Sequence, residues 1–354
     1  MNGCLDCKHN VCGIDHTSQS VPLRSTKTAL YSYEQASSKQ ITNNLSQIDF
    51  FHVNYNKAHI DQYPWLSQYA FTYSKKGNES QSIVVLFISN KNNKNTNKTT
   101  LVYSHDTFND LGSLYSTLIY MSYITKCNIL SYDYCGFGLS KGVFDVNEFI
   151  NDSECVNEVL VYFKIPFTSV VLLGQSLGVM PSFYLASKYN EVKGMIVMSL
   201  FSNKMEKPTS IEQEDKMVEY FGEYLENIEC PCFIIHGLED MCVHKDYSIK
   251  LNKYLTFVDK WFPKRGSHTN LLEQHYLQKF VKKIKEFIKS FKPCNEIDDV
   301  KGKQYCKANV ILDDNNSISN NNNKDESDSK SEYKDSERKL NDDMLQDFIK
   351  KEQY

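Results

Sequence analysis

A serine lies between two glycines in the stretch Gly174-Gln175-Ser176-Leu177-Gly178, directly after an apolar run. The run from Val170 to Leu173 is typical of a strand buried on both faces, and the apolar residues after the serine recur at helical spacing. This is the G-x-S-x-G pattern in a strand–turn–helix context, where a sharp turn exposes the serine hydroxyl. The pattern predicts that Ser176 is a nucleophile. The alternative is a capping serine in a glycine-rich turn.

A serine hydroxyl is a poor nucleophile near neutral pH, so it requires an adjacent base that an acid orients. Two later loops offer such groups, each after an apolar strand pattern: "CFIIHGLEDMCV" presents Glu239 and Asp240, and "FVDKWFPKRGSHTN" presents His268. Functional side chains of α/β proteins lie at the carboxyl ends of strands, and nucleophile-elbow enzymes have the chain order serine, acid, histidine. The order predicts His268 as the base. The choice between the two carboxylates stays open at this point.

The elements that must position these residues alternate along the chain. Alternating strand and helix patterns predict βαβ units, and therefore a mostly parallel central sheet with helices on both faces. A β-hairpin is predicted at "YAFTYSKKGNESQSIVVLFIS". The further predicted strands are "TLVYSH", "CNILSYDY", "VKGMIVMS", "CFIIHG" and "FVDKWF", and the predicted helices are Gly112–Thr125, Asn147–Lys164 and Leu271–Phe291.

Polar sequence flanks this block on both sides. The first 48 residues are rich in Ser, Thr and Asn, and the chain beyond Pro293 is rich in Asn, Ser, Asp and Lys. Such composition buries too little apolar surface to form a core. The sequence predicts a flexible extension with a cysteine cluster over 1–48, the α/β domain over 49–292, and a disordered, acidic and Asn-rich tail over 293–354 with a short terminal helix.

Composition limits the partners and the compartment. The formal net charge is −4, so no nucleic-acid partner is predicted, and no apolar stretch approaches the ~20 residues of a membrane-spanning helix. The N-terminus lacks the apolar region of a signal peptide. The 11 cysteines are therefore interpreted as reduced thiols of a cytoplasmic protein. No cofactor is predicted.

Together these motifs resemble the α/β-hydrolase-domain 17 group, serine hydrolases that remove palmitoyl groups from proteins. The resemblance spans roughly Tyr69 to Phe291. It implies the α/β-hydrolase fold, Ser176 as nucleophile, Asp240 as acid and His268 as base. It also implies S-acylated, membrane-associated proteins as substrates and a location at the cytosolic face of membranes. The stretches that carry it are "LVYSH…NDLG", "CNILSYDYCGFGLSKG", "LLGQSLGVMPSFYLASKY", "CFIIHGLEDMCV" and "GSHTN".

One position departs from the family pattern, which continues the first core strand with His-Gly, whereas this chain has His105-Asp106-Thr107. The resemblance implies an oxyanion hole made of the backbone N–H groups of Leu177 and Thr107. Asp106 either distorts this loop, places a carboxylate near developing negative charge, or is harmless because aspartate tolerates left-handed backbone. The sequence predicts a working but handicapped enzyme. The alternatives are a small-molecule carboxylesterase or lipase of the same fold, and a catalytically weakened hydrolase-fold scaffold.

The N-terminal cysteines Cys4, Cys7 and Cys12 are open to three interpretations. The resemblance implies S-acylation, which would attach the protein to a membrane surface. An inert reduced tail is a second interpretation. A small zinc knuckle that includes His9 and His16 is a third, although the spacing fits no standard finger well.

Overall fold

The strands form one mixed sheet that is antiparallel at its N-terminal side and parallel elsewhere. The computed structural model describes residues 29–52, 60, 63–75, 80–92, 99–145, 149–200, 222–255 and 258–290, and the account that follows concerns these residues. The strand order is β1-β2-β3-β4-β6-β5-β7-β8-β9-β10. The strands are β1 Tyr31–Gln40, β2 Leu45–His52, β3 Leu66–Ser74, β4 Ser82–Asn90, β5 Thr100–Ser104, β6 Asn128–Tyr132, β7 Val170–Gln175, β8 Gly194–Met198, β9 Cys232–Ile235 and β10 Val258–Trp261.

Helices cover both faces of this sheet, as the alternating pattern predicts. Strands β1 to β4 form an antiparallel meander, and β4 pairs antiparallel with β6. From there on, β6, β5, β7, β8, β9 and β10 are parallel neighbours in that order. The hairpin prediction is confirmed, because β3 and β4 pair in register from Leu66 opposite Asn90 to Ser74 opposite Ser82. The helices are α1 Leu111–Thr125, α2 Cys155–Tyr162, α3 Val179–Lys188, α4 Lys245–Leu251 and α5 Gln274–Ser290.

Strand β4 shows how the sequence divides the core between the two faces of the sheet. Val85 and Phe87 point into the layer that contains α2 and α3, whereas Val84 and Leu86 point into the layer with α1 and α5. Successive side chains of a strand alternate between faces, so a strand with helices on both sides must be apolar throughout. Each fully buried side chain of this size contributes about 1.5–3 kcal/mol. The central strands are therefore fixed in depth and register.

The folded region begins earlier than the predicted boundary at residue 48, and that prediction is corrected. Strand β1 pairs antiparallel with β2, which in turn pairs with β3. Tyr31, Leu45 and Ile48 are buried. In these sheet-edge strands single apolar residues alternate with Ser, Gln and Asp, so the averaged composition resembles that of an extension. Residues 1–28 and 291–354 lie outside the described residues, as do the predicted cysteine cluster and acidic tail.

The helix boundaries differ slightly from their predictions. The helix predicted over Asn147–Lys164 begins as a 3₁₀ turn at Phe149–Glu154 and continues as α2. The helix predicted from Leu271 begins at Gln274, after a 3₁₀ turn at Asn270–Leu272. These differences leave the ends of the parallel strands unchanged. The loops after β5, β7, β9 and β10 therefore meet at one edge of the sheet.

Candidate active site

Ser176 occupies a strained turn between β7 and α3. Its backbone has φ of 49°, a left-handed conformation that non-glycine residues rarely adopt. A Cβ atom at Gly178 would lie 2.0 Å from the carbonyl oxygen of Ser104 and 2.8 Å from that of His105. Only a glycine allows this approach, which packs the elbow against the end of β5. The turn thus brings the serine beside the loop predicted to hold an oxyanion.

Ser176, His268 and Asp240 form a continuous chain of hydrogen bonds. Ser176 Oγ and His268 Nε2 lie 2.9 Å apart, and His268 Nδ1 and Asp240 Oδ2 lie 2.8 Å apart. The Nδ1–H group donates to the carboxylate, so Nε2 is left as the acceptor of the serine hydroxyl proton. Three residues separated by 64 and 28 positions in the sequence are thereby brought together.

The environment of Asp240 favours its ionised form. Its Oδ1 atom accepts hydrogen bonds of 2.8 Å from the backbone N–H groups of Cys242 and Val243. Burial alone would raise the pKa of Asp240, but the hydrogen bond and charge of His268 hold it below its ordinary value. Glu239, the other carboxylate of the loop, is exposed. The structure thus places Asp240, and not Glu239, against the imidazole.

A second histidine, His236, lies behind this carboxylate and was not assigned a role from the sequence. Its Nε2–H donates to the carbonyl of Val243 at 3.0 Å and lies 3.4 Å from Asp240 Oδ2. Its Nδ1 atom accepts the hydroxyl of Ser248 at 2.8 Å. Burial lowers the pKa of His236, so the neutral imidazole is favoured. The feature of the sequence that could have indicated His236 is its position directly after β9, at the start of the acid loop.

Two glycines hold the acid loop and the histidine loop together. A Cβ atom at Gly237 would lie 2.2 Å from the carbonyl oxygen of Gly266, which no side chain allows. The N–H of Glu239 donates to that same carbonyl at 2.9 Å, and the N–H of Leu238 donates to Pro263 at 3.0 Å. These contacts set the distance between the loops that carry Asp240 and His268.

The predicted oxyanion donors also lie at this edge of the sheet. Leu177 is the second residue of the 3₁₀ turn Ser176–Gly178 that leads into α3, and the first N–H groups of a helix lack intrahelical acceptors. Thr107 lies two residues beyond His105, whose carbonyl accepts the hydroxyl of Tyr134 at 2.7 Å. Within the described residues, the N–H of Thr107 donates no hydrogen bond. Asp106, between them, is fully buried.

A buried pair of side chains, His105 and Asp133, lies next to the same loop. His105 Nε2 lies 3.2 Å from Asp133 Oδ1, and Tyr31 in β1 donates to Asp133 Oδ2 at 2.5 Å. Burial opposes charge on the imidazole, but the adjacent carboxyl group of Asp133 holds the pKa of His105 above its ordinary value, while burial also raises the pKa of Asp133. His105 Nδ1 contacts the carbonyl oxygen of Asp106 at 2.7 Å. The N-terminal strand therefore reaches the loop through two side chains.

One group of side chains in the described part of the chain has the composition of a metal site. The ligand atoms of Asp240, Cys242 and His268 lie within 4.8 Å of one another. Two of the three are already joined by the hydrogen bond between His268 Nδ1 and Asp240 Oδ2. Ser176 Oγ lies at the other ring nitrogen, His268 Nε2, so the three side chains can pass a proton from the serine to the imidazole without a metal ion.

Comparison with solved structures shows the architecture. An esterase from Pyrococcus furiosus superimposes with a TM-score of 0.50, at 14% sequence identity, over 66% of this chain and 94% of that one. The chain has the α/β-hydrolase fold. At this identity the likeness shows the fold alone. No family model matches the chain.

Curated proteins give a likeness in sequence. The chain is 31% identical over 183 residues to the human α/β hydrolase domain-containing protein 17B, covering 51% of this chain and 61% of that protein. It is 28% identical over 185 residues to the α/β hydrolase domain-containing protein aho-3 of Caenorhabditis elegans, covering 51% and 55%. The resemblance to the domain 17 group is confirmed. The chain spans little more than half the length of these curated relatives.

The remaining predictions concern the ends of the chain and the membrane. Cys4, Cys7 and Cys12 lie outside the described residues, so the structure does not bear on their acylation. No helix in the described ranges combines the length and the apolar character that crossing a membrane requires.

Proposed function

We propose that the protein is a serine hydrolase that cleaves acyl thioesters and esters, and that its substrates are S-acylated protein cysteines. The observation that carries the proposal is the relay from Ser176 Oγ through His268 to Asp240, with hydrogen bonds of 2.9 Å and 2.8 Å. The strained backbone of the serine adds support, because such strain is typical of nucleophile elbows.

The first half of the proposed reaction forms an acyl-enzyme. His268 Nε2 takes the proton of Ser176 while Oγ bonds to the acyl carbonyl carbon, whose oxygen becomes an oxyanion. The N–H groups of Leu177 and Thr107 donate to this oxyanion. The carbon–sulfur bond then breaks, and the imidazolium returns the proton to the leaving thiolate. Asp240 stabilises the imidazolium and holds the tautomer with Nδ1–H.

The second half releases the fatty acid. His268 Nε2 takes a proton from water, and the hydroxide oxygen bonds to the acyl carbon of the ester on Ser176. The carbon–Oγ bond breaks, and the serine recovers the proton from the imidazolium. The products are a carboxylic acid and the free enzyme, so each cycle consumes one water and needs no cofactor.

The substrate assignment rests on the resemblance to the domain 17 group and goes further than the relay alone. The same three residues would cleave a small soluble ester, because the walls of a site and not its fold select the leaving group. We therefore compare kcat/KM for a palmitoylated cysteine peptide with kcat/KM for a short-chain p-nitrophenyl ester. A preference for the soluble ester would indicate a small-molecule carboxylesterase instead.

The nucleophile is tested by replacing Ser176 with alanine. We expect loss of turnover and of fluorophosphonate labelling, with an unchanged thermal unfolding midpoint, because the triad acts as a unit. Ser169→Ala, at a half-buried serine before β7 whose hydroxyl donates to the Pro166 carbonyl, is the matched control and should keep both signals. Substantial turnover by folded Ser176→Ala would refute the proposal. A folded wild type without labelling would favour a scaffold.

We also propose that the N-terminal cysteines are S-acylated and hold the protein at the cytosolic face of membranes. Replacing Cys4, Cys7 and Cys12 with serine should move the protein from the membrane to the soluble fraction, because stable anchoring takes more than one lipid chain or equivalent signal. Cys306→Ser, in the acidic tail, is the control and should leave the distribution unchanged. A wild type that is already soluble and carries no hydroxylamine-sensitive acyl label would contradict the proposal.

A further inference from the structure

The carboxylate of Asp106 is fully saturated with hydrogen bonds at the residue where the family pattern has glycine. Its Oδ1 atom accepts the backbone N–H groups of Phe108 and Asn109, each at 3.0 Å, and the side-chain amide of Asn109 at 2.8 Å. Its Oδ2 atom accepts the side-chain amide of Gln175 at 3.0 Å. An ionised carboxylate can be buried when N–H donors replace its hydration, and four do so here.

The fourth donor links two separate parts of the site. Gln175 is the residue before the nucleophile, so its backbone belongs to the elbow, while Asp106 belongs to the loop after β5. The side-chain amide oxygen of Gln175, Oε1, accepts the hydroxyl of Tyr103, which lies in β5 itself. Both oxygens of Asp106 and both ends of Gln175 are therefore engaged, and the loop is fastened to the elbow.

The hydrogen bonds of Asp106 also determine which N–H groups of the loop remain available. The carboxylate takes the N–H groups of Phe108 and Asn109, one and two residues beyond Thr107. The N–H of Thr107 has no acceptor in the described part of the chain. Asp106 is absent from the residues with positive φ, so the backbone at this position does not require glycine.

We propose that Asp106 is a positioning residue for the oxyanion hole, holding the N–H of Thr107 in place opposite the N–H of Leu177. The inference rests on the proposed serine-hydrolase function. A glycine at this position offers no acceptor, so it would leave the loop without its link to Gln175. The structure thus assigns Asp106 a supporting role, in contrast to the sequence-based expectation that it handicaps the enzyme.

The test compares three variants: Asp106→Gly, Asp106→Asn, and Asp106→Asn combined with Gln175→Glu. For Asp106→Gly we expect kcat on a soluble p-nitrophenyl ester to fall ~10²–10³-fold, the typical cost of one oxyanion donor, with KM within about threefold. The rate constant of fluorophosphonate labelling at Ser176 should fall in parallel. Glu239→Gln, which removes an exposed carboxylate nearby, is the charge control.

The double variant separates positioning from general stability. In Asp106→Asn alone, the new amide N–H faces the amide N–H of Gln175. The Gln175 amide can avoid this opposition only by turning over, which gives up the hydrogen bond that its oxygen accepts from Tyr103, so kcat should fall. With Gln175→Glu added, the new carboxylate accepts from that amide and still accepts the Tyr103 hydroxyl. We expect recovery of kcat to within about tenfold of wild type. If Asp106 only stabilised the fold, the changes in kcat would parallel the changes in the unfolding midpoint. They would not depend on which of the two side chains donates the hydrogen bond.

Each outcome decides between the two proposals. If wild type labels at Ser176 and Asp106→Gly is as fast or faster, the inference is overturned and the serine mechanism stands. If the double variant folds but is no faster than Asp106→Asn, the inference is likewise overturned. If folded wild type neither labels nor turns over, the proposed function fails and this inference with it. A selective fall in kcat with rescue by the double variant supports the inference, even where Asp106→Gly fails to fold.

Discussion

Replacing Asp240 with asparagine changes one acceptor atom into a donor within the relay. The Oδ1 atom accepts two backbone N–H groups, from Cys242 and Val243, so the amide oxygen of the variant should keep this position. The amide N–H₂ must then face His268 Nδ1, where the carboxylate now accepts at 2.8 Å. To avoid two opposed donors, the imidazole takes the tautomer with hydrogen on Nε2. That nitrogen then has no lone pair for the proton of Ser176.

The expected fall in kcat follows from the loss of His268 Nε2 as a proton acceptor. The same change of tautomer in a serine protease triad lowers kcat by about 10⁴. At about 1.36 kcal/mol for each tenfold change, this corresponds to a barrier higher by about 5.4 kcal/mol. Because Asp240 is expected to act on the transition state and not on bound substrate, kcat and kcat/KM should fall together. Glu239→Gln removes an exposed carboxylate one residue away, and its rate should stay within about threefold.

The assay is steady-state hydrolysis of a soluble p-nitrophenyl ester near pH 7, with fluorophosphonate labelling and thermal unfolding measured on the same preparations. The unfolding midpoint shows whether the Asp240→Asn variant is still folded. A folded Asp240→Asn variant within tenfold of wild type would refute the role of Asp240 as the acid. Equal losses in Asp240→Asn and Glu239→Gln would show that the relay does not depend on the hydrogen bond between Asp240 and His268.

Three further results are expected. Gly178→Ala should lower kcat ~10²-fold, because a Cβ 2.0 Å from the Ser104 carbonyl must displace the elbow by about 1 Å; near wild-type kinetics would contradict the packing. Burial lowers the pKa of His236, so its neutral form stabilises the fold above the unfolded-state pKa of about 6.5, and this stability is lost as the pH falls. The loss of urea stability between about pH 7.5 and about pH 5.5 should therefore be smaller in His236→Asn than in wild type. Tyr31→Phe removes a donor to Asp133 and should cost about 1–3 kcal/mol in urea unfolding, whereas no change would exclude β1 from the stable fold.

The elements and the order of the relay could be predicted because their signals are local. The apolar run before Ser176 and the helical spacing after it predict a strand, a turn and a helix within twenty residues. The loops of Asp240 and His268 each follow an apolar strand directly. Parallel strands bring the carboxyl ends of such loops to one edge, so sequence order alone indicated which side chains would meet.

The link from Asp106 to the elbow could not be predicted in this way, because it depends on a distant residue. Asp106 and Gln175 are 69 residues apart, and Tyr31 and Asp133 are 102 residues apart. Neither pair follows a periodic pattern. From sequence alone, an aspartate in place of glycine indicates a lost turn, since the donor that links its carboxylate to the elbow, the side-chain amide of Gln175, comes from another strand. The same lack of local signal placed the boundary of the fold at residue 48 and not before β1.

The position of the acid loop relative to the histidine loop decides whether Glu239 or Asp240 contacts His268. The N–H of Glu239 is bonded to the carbonyl of Gly266, and Gly237 lies so close to Gly266 that no side chain fits between the loops. These contacts fix the backbone of the acid loop against the histidine loop without involving either carboxylate. The side chain of Glu239 then faces solvent, while that of Asp240 turns inward to the imidazole of His268. The two glycines therefore select the acid, because a shift of one residue would bring the exposed carboxylate into its place.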